Sequence, residues 1–108
     1  MQTKLNGALG EALKAATVVP VLTIEDPGTG VEIARALQKG GLNLIEITLR
    51  TPAAAEVIQR IAREVGGVHV GAGTVLDPDD AARAIAAGAR FIVSPGMTPR
   101  LLEAAEKW

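Results

Sequence analysis

The sequence predicts an α/β chain: a parallel (β/α)4 half of a TIM (β/α)8 barrel, preceded by one N-terminal helix over 4–16 and forming a single partial-barrel domain over 1–108. Three observations predict it. Four apolar runs rich in Val, Ile and Thr recur roughly 22–26 residues apart. Each run is followed by a capping residue, a proline and a helical pattern. The second run is aliphatic on one face and turns polar on the other toward its C-terminal end.

At the N-terminus, Leu5, Leu9 and Leu13 fall four apart, which is helical spacing. Glu11 and Lys14 interrupt the apolar run, so the segment reads as an amphipathic helix packed on the domain, neither a signal peptide nor a membrane span. The strands are read as "VVPVLTI" (18–24), "LNLIEITL" (42–49), "VHVGAGTV" (68–75) and "RFIVSPG" (90–96). After them come Asp26-Pro27, Thr51-Pro52, Asp77-Pro78 and Thr98-Pro99. An Asp or Thr oxygen can accept from the orphan amides of a first helical turn, and proline suits the first helical position because its missing N–H would be unpaired there. The helical segments "VEIARALQKGG", "AAAEVIQRIAREVGG" and "DAARAIAAGA" end at glycines, and "LLEAAEKW" closes the chain. The "GTG" at 28–30 reads as helix-entry backbone.

Repeated βα units imply a parallel sheet, either open and doubly wound or part of a barrel. An open sheet covered on both sides tends to be apolar on both. In the second strand Leu44, Glu46, Thr48 and Arg50 share one face and Ile45, Ile47 and Leu49 the other. That asymmetry favours a barrel, with helices outside and a polar mouth at the C-terminal strand ends. By alternation the interior is expected to hold Val19, Val21, Leu44, Val68, Val70, Phe91 and Val93. A complete barrel needs about eight units, ~200–250 residues, so the chain reads as half of one.

The 108 residues are 48% hydrophobic with a formal net charge of −1, enough to bury a core. Basic and acidic residues are mixed and the aromatics are only Phe91 and Trp108, which argues against a nucleic-acid surface. Without cysteine there is no disulfide frame, thiol nucleophile or zinc–thiolate site, and the lone His69 builds no metal site. No cofactor and no membrane partner are expected, and the cytoplasm is the default location.

Chemistry concentrates on Glu46. A carboxylate on an otherwise aliphatic strand is almost never fully buried unless paired or functional. Arg50 lies on the same face but ~13 Å further along at ~3.3 Å per residue, so a close ion pair within the strand is not built in. A partner for Glu46 is expected from another strand. Arg50 itself reads either as a ligand-binding cation or as a solvated charge at a strand end. "GAGT" (71–74) matches no phosphate loop, and Asp77, Asp79 and Asp80 at the next helix would repel a phosphate. Its glycines read as points of close approach, with the Thr74 hydroxyl presented at the mouth. "SPG" (94–96) reads as a turn that can border a ligand or simply join two elements. His69 falls at the end away from the mouth and reads as a satisfied core or surface histidine.

Taken together, "VVPVL", "GGLNLIEITLRT", "VGAGTVL" and "AGARFIVSPGMT" resemble the N-terminal half of 2-keto-3-deoxy-6-phosphogluconate (KDPG) aldolase, also called 4-hydroxy-2-oxoglutarate aldolase, over nearly the whole chain from Val18. The resemblance implies a class I aldolase on a (β/α)8 barrel, usually a homotrimer, that cleaves its substrate to pyruvate and glyceraldehyde 3-phosphate. It implies an acid/base role for Glu46 and carboxylate binding of the pyruvyl group by Arg50. It implies substrate contact at Thr74, with Pro95 bordering the pocket.

One departure is large. Such chemistry needs a lysine that forms a Schiff base with the substrate ketone. In the family it lies on a sixth strand, which this sequence lacks. Lys4, Lys14, Lys39 and Lys107 all fall on expected helices or their ends. Two functional readings follow: the N-terminal part of a Schiff-base aldolase, inactive alone, or an isolated, self-associating half-barrel without catalysis. An open doubly wound binding domain is a third.

Overall fold

The computed structural model describes residues 7–107 of the protein. In chain order they form α1 (Gly7–Ala15), β1 (Val21–Leu22), α2 (Pro27–Lys39), β2 (Leu44–Thr48), α3 (Ala54–Glu64), β3 (His69–Gly73), α4 (Pro78–Ala87) and α5 (Pro99–Glu106). The expected first helix begins at residue 4; its opening residues lie outside the described ones. The strands are parallel in the order β1-β2-β3. Val21 pairs with Glu46, Ile45 with Val70, and Thr48 with Gly73.

The fourth run is shorter than the sequence suggests. It meets β3 in a single bridge, Ala72 to Ile92, supported by bonds from Arg90 N to Val70 O (2.8 Å) and from Val93 N to Ala72 O (2.8 Å). Pairing stops there because Ser94 turns the chain, its hydroxyl donating to the Gly96 carbonyl at 2.9 Å. At the opposite edge β1 is only two residues long. Pro20 has no N–H for the ladder, although its carbonyl still accepts from Glu46 N at 2.9 Å.

All four later helices pack on one side of this sheet. Ile45 and Ile47 of β2 and Val70 and Ala72 of β3 share one core with Val31 of α2, Val57, Ile58 and Ile61 of α3, Ala84 of α4 and Leu101 of α5. Complete burial of Ile45, Ile47, Ile58 and Ile61 contributes about 1.5–3 kcal/mol each. The molecule is accordingly thin, 21 Å in its shortest dimension, about one sheet and one helix layer. The core includes Val70 and packs against Val68, so both face the helices, not the interior as alternation from the strand's start suggested. The β3 positions on the face away from the helices, the interior expected from the sequence, are instead His69, Gly71 and Gly73, set by pairing with Leu44, Glu46 and Thr48.

Three of the four expected caps form. Asp26 accepts from Thr29 N, Asp77 from Asp80 N and Thr98 from Leu101 N, each before a proline. Thr51 does not cap. Its hydroxyl donates to the Ile24 carbonyl at 2.9 Å and α3 starts at Ala54, after Ala53 without a side-chain cap. A neighbouring loop carbonyl outcompetes the helix amides for that hydroxyl. The glycines at 28–30 lie inside α2, and Gly30 has a packing reason: a Cβ there would come 2.7 Å from Val57 Cγ1.

Candidate functional site

The uncovered sheet face carries the candidate site. Val21, on the row shared with Glu46, is 58% exposed, whereas Leu44, lower on the same face, is 2% exposed. Glu46 itself is only 9% exposed. Its side chain crosses toward β3 and occupies the space above Gly73, where a Cβ would sit 2.7 Å from Glu46 Cδ. Gly71, one inward position earlier, leaves room for the ring of Phe91, against which a Cβ would collide. The two glycines of "GAG" thus admit side chains from the neighbouring strands; close approach was expected, but of backbone or ligand.

No hydrogen bond or ion pair to the Glu46 carboxylate exists among the described residues. The partner expected from another strand is not there. Burial alone pushes this carboxyl above its ordinary value of 4.5, with no nearby cation opposing it. A folded chain that holds this proton more tightly than the unfolded chain is stabilised by it below pH 4.5, and loses that contribution as pH rises through the raised value. Denaturant midpoints of the wild type should therefore fall over that window relative to Glu46→Gln, whose neutral amide removes the titration. Parallel pH profiles for the two proteins would contradict the burial argument.

Arg50 and Thr74 are brought together directly. Arg50 Nε donates to Thr74 Oγ1 at 3.2 Å, while the exposed guanidinium has no carboxylate partner among the described residues. Thr74 has φ 58°, the one positive value outside glycine in residues 7–107. A β-branched residue there costs roughly 1–3 kcal/mol. The strain falls at the first residue past β3, whose hydroxyl accepts from Arg50.

Beside this pair the hydroxyls of Thr23, just past β1, and Thr48 of β2 share a hydrogen bond of 2.8 Å. Extending the pairing of Val21 with Glu46 by two residues puts Thr23 opposite Thr48, a signal present in the sequence but unused. Pro95 lies on the exposed turn at the same end, closed on itself by Ser94. The lysines are elsewhere: Lys14 in the last turn of α1, Lys39 in that of α2 and Lys107 at the end of α5. Lys4 lies outside the described residues. His69 opens β3 at the far end, as expected, but it is not satisfied: Nδ1 is buried with no partner among the described residues.

A cavity of about 170 Å³ lies under α1 and the N-terminal ends of the strands, lined by Ala12, Val18, Asn43 and Leu44 among others. Glu46 does not line it. The candidate site is an open face, not a closed pocket. Among the described residues no group of His, Asp and Glu is disposed to hold a metal ion, and no helix is long and apolar enough to cross a membrane.

The family model described as "Aldolase: KDPG and KHG aldolase" matches residues 9–108. A 2-dehydro-3-deoxy-phosphogluconate aldolase of Pseudoalteromonas atlantica is 51% identical over 90 residues, which is 83% of this chain and 42% of that protein. Its counterpart in Treponema pallidum is 49% identical over 92 residues, 85% and 44% of the two chains. Among solved structures, the Zymomonas mobilis aldolase superposes with a TM-score of 0.85 at 47% identity over 91% of this chain and 47% of its own. A Legionella pneumophila KDPG aldolase, crystallised with pyruvate captured as a covalent carbinolamine intermediate, superposes at 0.86 with 38% identity over 92% and 48%. The chain spans less than half the length of each of these proteins.

Proposed function

The chain belongs to the KDPG and KHG aldolase family, and we propose that its one-sided sheet is half of a (β/α)8 barrel supplying part of a class I aldolase pocket. The whole pocket cleaves 2-keto-3-deoxy-6-phosphogluconate to pyruvate and glyceraldehyde 3-phosphate. In this reading Glu46 is the acid/base, Arg50 holds the carboxylate of the pyruvyl moiety, and Thr74 and Pro95 border the substrate. The observation that carries it is the carboxyl of Glu46: buried, without a partner, and on the sheet face the helices leave free. A structural carboxylate would be paired; a proton-transfer group benefits from a raised pKa.

The chemistry divides cleanly. A lysine amine adds to the C2 ketone and loses water to give an iminium; none of the described lysines lies at the mouth, so this group comes from beyond residues 7–107. Glu46 takes the proton of the C4 hydroxyl. The C3–C4 bond breaks, its electron pair enters the enamine, and the aldehyde leaves. Protonated Glu46 then returns its proton to C3, forming the methyl group, and water releases pyruvate and the free amine. Arg50 holds the carboxylate throughout, fixing C3 and C4 relative to Glu46.

The whole protein in this reading works in the cytoplasm as a homo-oligomer, a trimer in keeping with the family. A second reading, an inactive and self-associating half-barrel, is favoured by the exposed apolar face and the absence of a lysine at the described mouth. A chimera separates them. Residues 1–108 joined to the portion of the Zymomonas mobilis aldolase that the chain does not cover should regain retro-aldol turnover. With pyruvate and borohydride it should trap an adduct on a lysine of the added portion. The 108-residue chain alone should do neither, and an adduct on Lys4, Lys14, Lys39 or Lys107 would overturn the assignment.

A further inference from the structure

We infer that Gly73 is the positioning residue for Glu46: its missing side chain is the seat in which the Glu46 carboxyl group lies. The inference rests on the acid/base reading of Glu46 for its meaning, but not for its geometry. Glu46 and Gly73 are not partners in the ladder. Glu46 pairs with Gly71, and Gly73 pairs with Thr48, two positions nearer the mouth. The side chain therefore leans diagonally, up the sheet and across to β3. Such diagonal neighbours are about 7–8 Å apart at their Cα atoms, within reach of a glutamate but not of a shorter side chain.

Glu46 takes neither of the two other directions across the sheet. Straight across from Glu46, the space above Gly71 is filled by the ring of Phe91. On the other side Val21 is directly opposite, and its surroundings are open to water. A carboxylate left to itself would swing to the open side and hydrate. It lies instead over Gly73, which is itself buried beneath it. The raised proton affinity follows from this placement, because burial is its one cause. The seat also carries the group toward the strand end where Thr74, the next residue, holds Arg50. Gly73 has no positive φ, so its backbone does not require glycine. The space does.

The test is Gly73→Ala in the 108-residue chain. The added methyl must evict Glu46 into water, so the carbon-13 titration midpoint of the Glu46 carboxyl should fall back toward 4.5. An unchanged midpoint would overturn the inference. A cycle with Glu46→Ala guards against a variant that simply fails to fold. Gly73→Ala should lower the folding constant at least about tenfold with Glu46 present and cost much less once Glu46 is truncated. Equal losses in both backgrounds, including failure of both to fold, would sink it. In the chimera, Gly73→Ala should lower kcat while leaving KM nearly unchanged, since Arg50 still holds the substrate. If the titration shifts and the cycle couples but kcat does not move, the seat stands and the acid/base reading of Glu46 falls.

Discussion

Glu46→Gln in the chimera is expected to reduce retro-aldol turnover about 10²–10⁴-fold, the usual contribution of a positioned general base. The amide is nearly isosteric with the carboxyl group, so it should occupy the same space over Gly73 and leave the sheet intact. It cannot accept the C4 hydroxyl proton or return one to C3. Exchange of pyruvate's methyl protons with solvent, the reverse of the last proton transfer, should fall by a similar factor. Borohydride trapping of pyruvate should persist, because the lysine adds to the ketone without requiring Glu46 for carbon–carbon cleavage. That split separates an acid/base role from a merely structural one. Equal loss of trapping and exchange would mean that Glu46 organises the pocket instead of moving the proton.

The reason Glu46 could be found in the sequence is the two-residue period of β2. Ile45 and Ile47 had to face the helices, so Glu46 and Thr48 had to face away, and the structure has them so. Arg50 and Thr74 were legible as residues at the ends of adjacent strands, and they do meet. What could not be read was the phase of β3. In "VHVGAG" the inward positions are His69, Gly71 and Gly73, which offer almost no side chain to read, and the valines suggested the opposite phase. Only the pairing of Ile45 with Val70 fixes it. The seat for Glu46 was invisible for the same reason: it depends on what a glycine lacks and on what its neighbour sends across. Thr51 shows a further limit. A threonine before a proline satisfies every local rule for a cap, yet its hydroxyl goes to a carbonyl 27 residues earlier. Local preference sets a prior that a tertiary acceptor can override.

The second large effect concerns the open face. The 108-residue chain by itself is expected to associate. Val18 is 57% exposed, Val21 58%, Leu76 58% and Met97 52%, with Val19 and Val93 also exposed. Val19, Val21 and Val93 belong to β1 or its flanks and to the fourth run, the two edges of the sheet. Edge strands also present unpaired N–H and C=O groups, which invite further pairing. A second copy of the chain fits both demands. A two-fold axis along the strand direction keeps all strands parallel and sets each copy's β1 beside the other's residues 90–93. It also turns the two uncovered faces toward each other. Burial of the order of 800 Å² on each copy would make a stable dimer. Light scattering at tens of micromolar should therefore report a dimer or larger species, and Val93→Lys should raise the dissociation midpoint at least about tenfold by forcing a charge into the joint. A folded monomer that binds no hydrophobic dye would show that these valines tolerate water, and the face around Glu46 would then be a surface complete without a partner.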